Sequence, residues 1–241
     1  MFSFLVAAHK TYQAEIELGI ATDTYDADGI VTQRVDPFHI TREQIEGLLP
    51  SFRGTILQKP PMFSALKHHG ERLYKLARAG ITVEREARKA EIFRLELTQW
   101  EPPLFTIEVE CGKGTYIRSL ANDFGQSLGC GAHIRNLVRL KCGPFDISDS
   151  LTLPQIEESF RHNYWHDFLY PMDVVLEHWF AAIVGKEKEL AICNGRTLAL
   201  DDSGDTDLCR AYSVDGRFLA VLRFLPENGL WQPKKVFSTK L

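Results

Sequence analysis

The 241-residue sequence has no two cysteines in Cys-x-x-Cys spacing, and its five cysteines are an odd number. Cys111, Cys130, Cys142, Cys193 and Cys209 fall mostly inside apolar patterns, so reduced, packed thiols are expected rather than a disulfide framework. No His pair at ligand spacing accompanies a cysteine pair, so no metal site is expected. No apolar run is long enough to span a bilayer. The opening MFSFLVAAHK lacks the basic segment and cleavage site of a signal peptide. It therefore reads as a buried strand or helix start in a cytoplasmic protein. Neither GxxxxGK(S/T) nor GxGxxG occurs, so a small-molecule enzyme with a phosphate cradle has only the Gly112–Gly114 turn in its favour. Internal repeats and low-complexity linkers are missing too.

An excess of positive charge is also lacking, since the net charge is −4. Its distribution says more. Residues 67–94 hold 8 basic and 4 acidic side chains, whereas residues 146–241 hold 10 basic and 15 acidic. A local positive field can hold a polyanion on an acidic molecule. A solvated helix face with internal ion pairs would give the same count. With 44% hydrophobic and 25% charged residues, the chain is an ordinary globular sequence. It is long enough for one large domain, or for a main domain with a small appendage.

The stretch from Glu108 to Gly143, EVECGKGTYIRSLANDFGQSLGCGAHIRNLVRLKCG, organises the rest. Phe105, Ile107, Val109 and Cys111 alternate with polar residues, as in a half-buried strand. Gly112 and Gly114 then permit a sharp turn. Ile117, Leu120, Ala121, Phe124 and Leu128 share one helical face, with Gly129 as the C-terminal stop. Tyr116 and Arg118 stand in the first turn, where free N–H groups and the positive dipole end suit an anionic or nucleotide partner. An Arg paired with a structural carboxylate and a core Tyr would look the same. Beyond the helix, Arg135, Leu137, Arg139 and Lys141 share one strand parity, which puts an apolar residue on a basic face.

Elsewhere, Tyr12, Ala14, Ile16 and Leu18 alternate with polar residues as a strand with one wet face. Asp23, Asp26 and Asp28 follow in a turn-rich segment where Asx turns account for them. Thr41 opens a helix with Gln44 closing a capping box, and Pro50 is expected to end it. A short helix is expected over Glu71–Ala79, with Arg72, Lys75 and Arg78 on its outer face, and Phe93, Leu95 and Leu97 mark another strand. Pro154 opens a helix. Short strands around Asp215-Gly216 read as a hairpin.

Together these segments resemble the TruB family, the bacterial tRNA pseudouridine-55 synthases. The matching stretches are KTYQAEIELGIATDTYDADG, PPMFSALKHHGERLYKLARAGI, CGKGTYIRSLANDFGQSLGCGAHIRNLVRL and CGPF. They cover most of residues 10–145, in the family's order and approximate spacing. The resemblance implies an α+β fold with a mixed, largely antiparallel pseudouridine-synthase-like sheet flanked by helices. A catalytic domain over residues 1–175 and a small β-rich PUA-like RNA-binding domain over 176–241 are expected. The implied activity is isomerisation of a uridine in the T-loop of tRNA, with no metal or organic cofactor. The base leaves its N-glycosidic bond, turns, and rejoins through carbon. By resemblance Tyr12 stacks on or beside the target base, Tyr116 and Leu137 line the pocket, and Arg118 orients a carboxylate. Lys67, Arg72, Lys75, Arg135, Arg139 and Lys141 are expected on RNA phosphates, giving salt-dependent affinity. The implied partner is the T-arm of tRNA, and the expected state is a monomer.

One departure matters. The family's nucleophile is an Asp in a motif of the type GHxGxLDPxAxGxL, N-terminal to the strand that holds Tyr12. Residues 1–11 do not match it, its companion His is absent, and Asp23, Asp26 and Asp28 align with a different motif. Pocket residues alone do not replace a carboxylate nucleophile. The expectation is therefore a chain without the covalent step, Met1 being an internal position of a longer protein. The missing segment would supply core strands and the carboxylate partner of Arg118; without it the Arg would be left uncompensated and the sheet uncovered. The alternative is a non-catalytic tRNA-binding or tRNA-folding protein on the same scaffold.

Overall fold

The computed structural model describes residues 1–200 and 206–237. The chain divides into two compact units, Leu5–Leu151 and Met1–Phe4 together with Thr152–Leu241. The apolar opening forms a short helix, α1 (Phe2–Ala7).

The unit Leu5–Leu151 contains β1 (Lys10–Leu18), β2 (Ile20–Thr22), β3 (Val31–Arg34), α2 (Arg42–Leu48) and β4 (Gly54–Gln58). It continues through β5 (Lys67–His68), β6 (Glu71–Arg72), α3 (Leu73–Arg78), β7 (Arg88–Glu101) and β8 (Leu104–Cys111). It ends with α4 (Ile117–Ser127), β9 (Ala132–Cys142) and β10 (Phe145–Asp146). Six strands make one antiparallel sheet in the order β10-β9-β1-β8-β7-β4. Alternation sends Ala14, Ile16, Leu95, Ile107 and Val109 to one face, where they pack with Ile45 of α2 and with Ile117, Leu120 and Phe124 of α4. Each large side chain buried there contributes about 1.5–3 kcal/mol. The other face carries Gln13, Glu15, Glu17, Glu108 and Glu110, paired across β1 and β8 or next to them in register. The α+β class expected from the sequence is the class observed.

Several local expectations change. The Thr41–Gln44 capping box forms and α2 ends at Leu48, ahead of Pro50 as expected; a 3-10 turn over Leu49–Phe52 follows it directly. The helix expected from Glu71 begins at Leu73, because Glu71 and Arg72 pair with Lys67 and His68 in a tight hairpin. His69 and Gly70 turn that hairpin with φ of 47° and 88°. The strand marked by Phe93, Leu95 and Leu97 forms, but Phe93 is 46% exposed, because a register shift between Ile92 and Arg94 leaves it unpaired and gives the core position to Ile92.

The second unit holds α5 (Leu153–Arg161), β11 (Ala181–Val184), α6 (Lys186–Cys193), β12 (Leu208–Ser213), β13 (Phe218–Leu225) and β14 (Leu230–Val236). The last three strands are antiparallel neighbours, and β11 adds in parallel to β12. The Asp215-Gly216 hairpin forms, with Gly216 at φ 83°. Thr152 adds a capping box to α5 that the Pro154 signal alone did not reveal. Among the described residues no helix is long and apolar enough to cross a membrane.

Helix α4 lies close against the start of β9 because Gly125 has no side chain. A Cβ there would meet Ala132 N at 2.1 Å and Gly131 C at 2.3 Å, both backbone atoms. Gly125→Ala should therefore cost about 3 kcal/mol in urea denaturation. Gly47→Ala should gain up to about 1 kcal/mol from helix propensity, since a Cβ at Gly47 meets nothing within 4 Å.

Candidate functional site

Strand β1 lies between β8 and β9, and its registers decide what stands around Tyr12. Residues directly opposite each other on neighbouring strands share a face. Tyr12 pairs with Val109 on one side and Arg139 on the other, and Ala14 pairs with Ile107 and Leu137. Leu137 is 40% exposed although its cross-strand neighbour Ala14 is fully buried. The core face is thus open over Leu137, beside the half-buried Tyr12. Burial pushes the Tyr12 phenol pKa up, while the Arg139 cation pulls it partly back.

The basic stripe expected on one parity of β9 does not survive. The β1–β9 register shifts between Thr11 and Tyr12 and again between Glu15 and Ile16, which leaves Leu140 and Arg135 without partners on β1. Each bulge inverts the parity of the residues beyond it. Leu137 and Arg139 stay with Tyr12, whereas Lys141 pairs with Thr11 on the opposite face. Arg135 reaches Glu17 at 2.8 Å and Glu15 at 3.6 Å, and Lys141 reaches Asp146 at 3.1 Å.

Helix α4 brings the second half of the site. Cys111, two residues past Val109, leads through the glycine turn to Tyr116, the N-cap of α4. Arg118 sends Nη1 to Asp26 Oδ2 at 2.9 Å and Nη2 to the Phe63 carbonyl at 2.8 Å; Nη1 also approaches the Thr24 carbonyl at 3.5 Å. The expected upstream carboxylate is therefore not what Arg118 pairs with here: Asp26 is its partner, and the guanidinium is compensated. Asp26 accepts the Thr24 hydroxyl on Oδ1 at 2.6 Å. Its loop is tied to β9 by Ile134 N–H donating to the Tyr25 carbonyl at 3.0 Å. That bond holds Tyr25 at φ 66°, a left-handed conformation costing a non-glycine residue about 1–2 kcal/mol. The Arg118 pair thus stands beside Ile134, three positions before Leu137 on the same strand.

A third contact was not legible in the sequence. Gln58, 2% exposed at the end of β4, accepts from Tyr116 N–H at 3.0 Å and donates to the Tyr116 carbonyl at 3.3 Å. Ser119 Oγ donates to the Lys59 carbonyl at 2.8 Å. Nothing local marks Gln58 or Asp26, since both contacts bridge distant segments.

The basic hairpin and α3 stand on one side. Lys67, Arg72 and Lys75 are exposed and, among the described residues, have no carboxylate within ion-pair distance. A cavity of about 660 Å³ lies there, lined by Lys67, His68, His69, Arg85 and Arg88 together with Glu84 and Glu86 among others. A smaller one of about 120 Å³ is lined by Gln58, Pro60, Arg88, Gly114 and Tyr116 among others. The structure thus shows two groups: Tyr12, Leu137 and Arg139 on one face of β1 and β9, and Tyr116 with the Arg118–Asp26 pair at the start of α4. The first can hold a flat apolar ring next to anions.

Comparison with known proteins gives a consistent answer. Residues 1–117 match the model of the TruB family pseudouridylate synthase N-terminal domain, and residues 118–177 match the tRNA pseudouridylate synthase B C-terminal domain. The seam falls at the start of α4, inside the first compact unit. The chain is 43% identical over 238 residues to tRNA pseudouridine synthase B of Dehalococcoides mccartyi, covering 98% of this chain and 79% of that protein. It is 41% identical over 240 residues to the protein of the same name from Stutzerimonas stutzeri, covering 98% and 78%. Among solved structures, a Cbf5-Nop10-Gar1 complex contains a chain with the same fold at a TM-score of 0.70 and 22% identity, covering 98% of this chain and 68% of that one.

Two outcomes test this geometry. Replacing Asp26 with Asn should lower stability by about 1–2 kcal/mol, between the values for exposed and buried pairs, in chemical denaturation. Arg139→Gln should raise the Tyr12 phenol pKa further, which NMR of the Tyr12 Cζ would read. The phenol is already raised by burial in the folded state. Its contribution to stability is therefore complete below the unfolded value of about 10 and is lost as pH rises through the folded value.

Proposed function

Because the chain belongs to the TruB family of pseudouridylate synthases, we propose that it carries the scaffold for isomerising uridine to pseudouridine in the T-loop of tRNA. The observation that carries the reading is that Tyr12 and Leu137 share one face of β1 and β9, while the Arg118–Asp26 pair is tied to Ile134 further along the same strand β9. A uridine flipped from the T-arm costs a few kcal/mol to unstack. Aromatic and apolar contacts from Tyr12, Tyr116 and Leu137 offset that cost. Lys67, Arg72, Lys75 and Arg139 hold backbone phosphates. Arg135 and Lys141 do so only by giving up Glu17 and Asp146. Residues 1–175 act as the catalytic domain and 176–241 as a PUA-like RNA-binding part, in a cytoplasmic monomer that uses no cofactor.

The covalent step is the exception. Both Asp26 oxygens are engaged, one by Arg118 and one by Thr24, which suits Asp26 to orienting Arg118 rather than to attacking the base. The GHxGxLDPxAxGxL-type nucleophile motif does not occur in residues 1–241. The engagement of Asp26 is the observation behind a second reading: a tRNA-binding or tRNA-folding protein that keeps the pocket without the chemistry.

One experiment separates them. The 241-residue chain and a chain extended upstream with a segment bearing the Asp motif are each given a tRNA transcript, and pseudouridine is mapped in the T-loop. Both should bind tRNA, losing about tenfold or more in affinity between 50 and 200 mM salt. Only the extended chain should modify the uridine. Tight binding without modification by the extended chain would move the second reading to the front. Modification by the 241-residue chain alone would assign the nucleophile to a residue within it, and absence of binding would overturn both readings.

A further inference from the structure

We propose that Gln58 is a positioning residue for this site: its side-chain amide fixes the Tyr116 peptide, and with it the pose of the Tyr116 ring and of Arg118. The tRNA reading supplies what the site does; the geometry supplies what Gln58 does.

A helix N-terminus presents N–H groups without intrahelical partners. Tyr116, the N-cap of α4, is extended at φ −104° and ψ 105° and has no side-chain cap of its own. Gln58 supplies what the local sequence lacks. One amide accepts the Tyr116 N–H and donates to the Tyr116 carbonyl, a reciprocal pair made across 58 positions of chain. The same carbonyl accepts the Leu120 N–H at 3.1 Å, so the amide reads a peptide already committed to the helix. Residues 58–63 also receive Ser119 Oγ on Lys59 and Arg118 Nη2 on Phe63, but through backbone carbonyls that any residue type would present. Gln58 is the side chain in this strap on which the contact depends.

The Tyr116 ring is not locked by packing on all sides, since Tyr116 and Gln58 both line the 120 Å³ cavity. Its direction is therefore set from the peptide. Two residues on, Arg118 divides its donors between Asp26 and Phe63, and a rotation of the first turn would detune both. Leucine at position 58 can neither donate nor accept. An ionised glutamate accepts the N–H but opposes the Tyr116 carbonyl. A protonated glutamate restores donor and acceptor together. Burial against a carbonyl raises that carboxyl above its ordinary value of about 4.3. The Gln58→Glu variant should therefore regain the wild-type pose in mild acid.

The test compares wild type, Gln58→Leu and Gln58→Glu at pH 8 and pH 5.5, choices set by that raised carboxyl. One readout is hydrogen exchange of the amides at 115–120, corrected for intrinsic rates. The other is fluorescence of a T-arm stem-loop with 2-aminopurine at the target position. Wild type should show protected amides and a full fluorescence gain at both pH values. Gln58→Leu should exchange about tenfold faster, the loss of one buried hydrogen bond, and lose about half the gain while affinity changes less than about threefold. Gln58→Glu should behave as leucine at pH 8 and as wild type at pH 5.5. Unchanged protection in Gln58→Leu, or a Gln58→Glu variant indifferent to pH, would overturn the proposal. If wild type itself gives no binding, the tRNA reading falls, and the exchange data alone decide whether Gln58 holds Tyr116.

Discussion

The Arg118 guanidinium leaves the first turn of α4 and joins segments far apart in sequence: the Asp26 loop on one side and the Phe63 backbone on the other. A planar fork with several fixed donors can satisfy a carboxylate and a carbonyl at once, which a lysine ammonium does with far less directional control. The pair is about a quarter exposed on each partner. Its worth lies in fixing geometry more than in adding stability. The surrounding contacts make that geometry rigid. Asp26 is held by Thr24, its loop by Ile134 on β9, and Phe63 belongs to the strap that Gln58 and Ser119 attach to α4.

The sheet supplies the other half of the constraint. Tyr12 and Leu137 are placed by strand registers, and Arg118 and Tyr116 by a helix that starts where β8 ends. Both sets are anchored to β9: Gly125 lets α4 lie on the start of that strand, and the Asp26 loop that holds Arg118 is tied to its Ile134. Strain at Tyr25 fits the same picture. A left-handed non-glycine residue persists only where its neighbours over-determine it, and here the Tyr25 carbonyl is the acceptor that ties the Asp26 loop to β9.

Much of the frame was legible because it rests on local patterns. The alternation of Tyr12 to Leu18 and of Phe105 to Cys111, the helical face of α4, and the caps at Thr41 and Gly129 are each set by neighbours a few residues apart. The bulges in β9 were not legible. Parity put Arg135 and Lys141 beside Arg139, but an unpaired Arg135 and an unpaired Leu140 turn both away, toward Glu17 and Asp146. No local signal announces a bulge in a run such as IRNLVRLKC. The partners of Arg118 and Tyr116 escaped for a related reason. One aspartate among three in a turn-rich loop, and a single glutamine closing a strand, acquire their roles only through contacts dozens of residues away.

The same bulges sort the charge of the first unit. On the polar face Glu15 and Glu17 engage Arg135, and Glu96 and Glu108 engage Arg94. The cations there are consumed by carboxylates. Arg139 remains on the core side next to Tyr12, and Lys67, Arg72 and Lys75 are exposed without a carboxylate in ion-pair distance among the described residues, Lys67 lining a cavity that also holds Glu84 and Glu86. A polyanion is thus repelled or unrewarded on one face of the sheet and attracted at the rim of the other. A net charge of −4 conceals this division, because what a phosphate backbone feels within about 8–10 Å is the local field and not the sum over the chain. Orientation on an RNA would then follow from two register shifts in one strand.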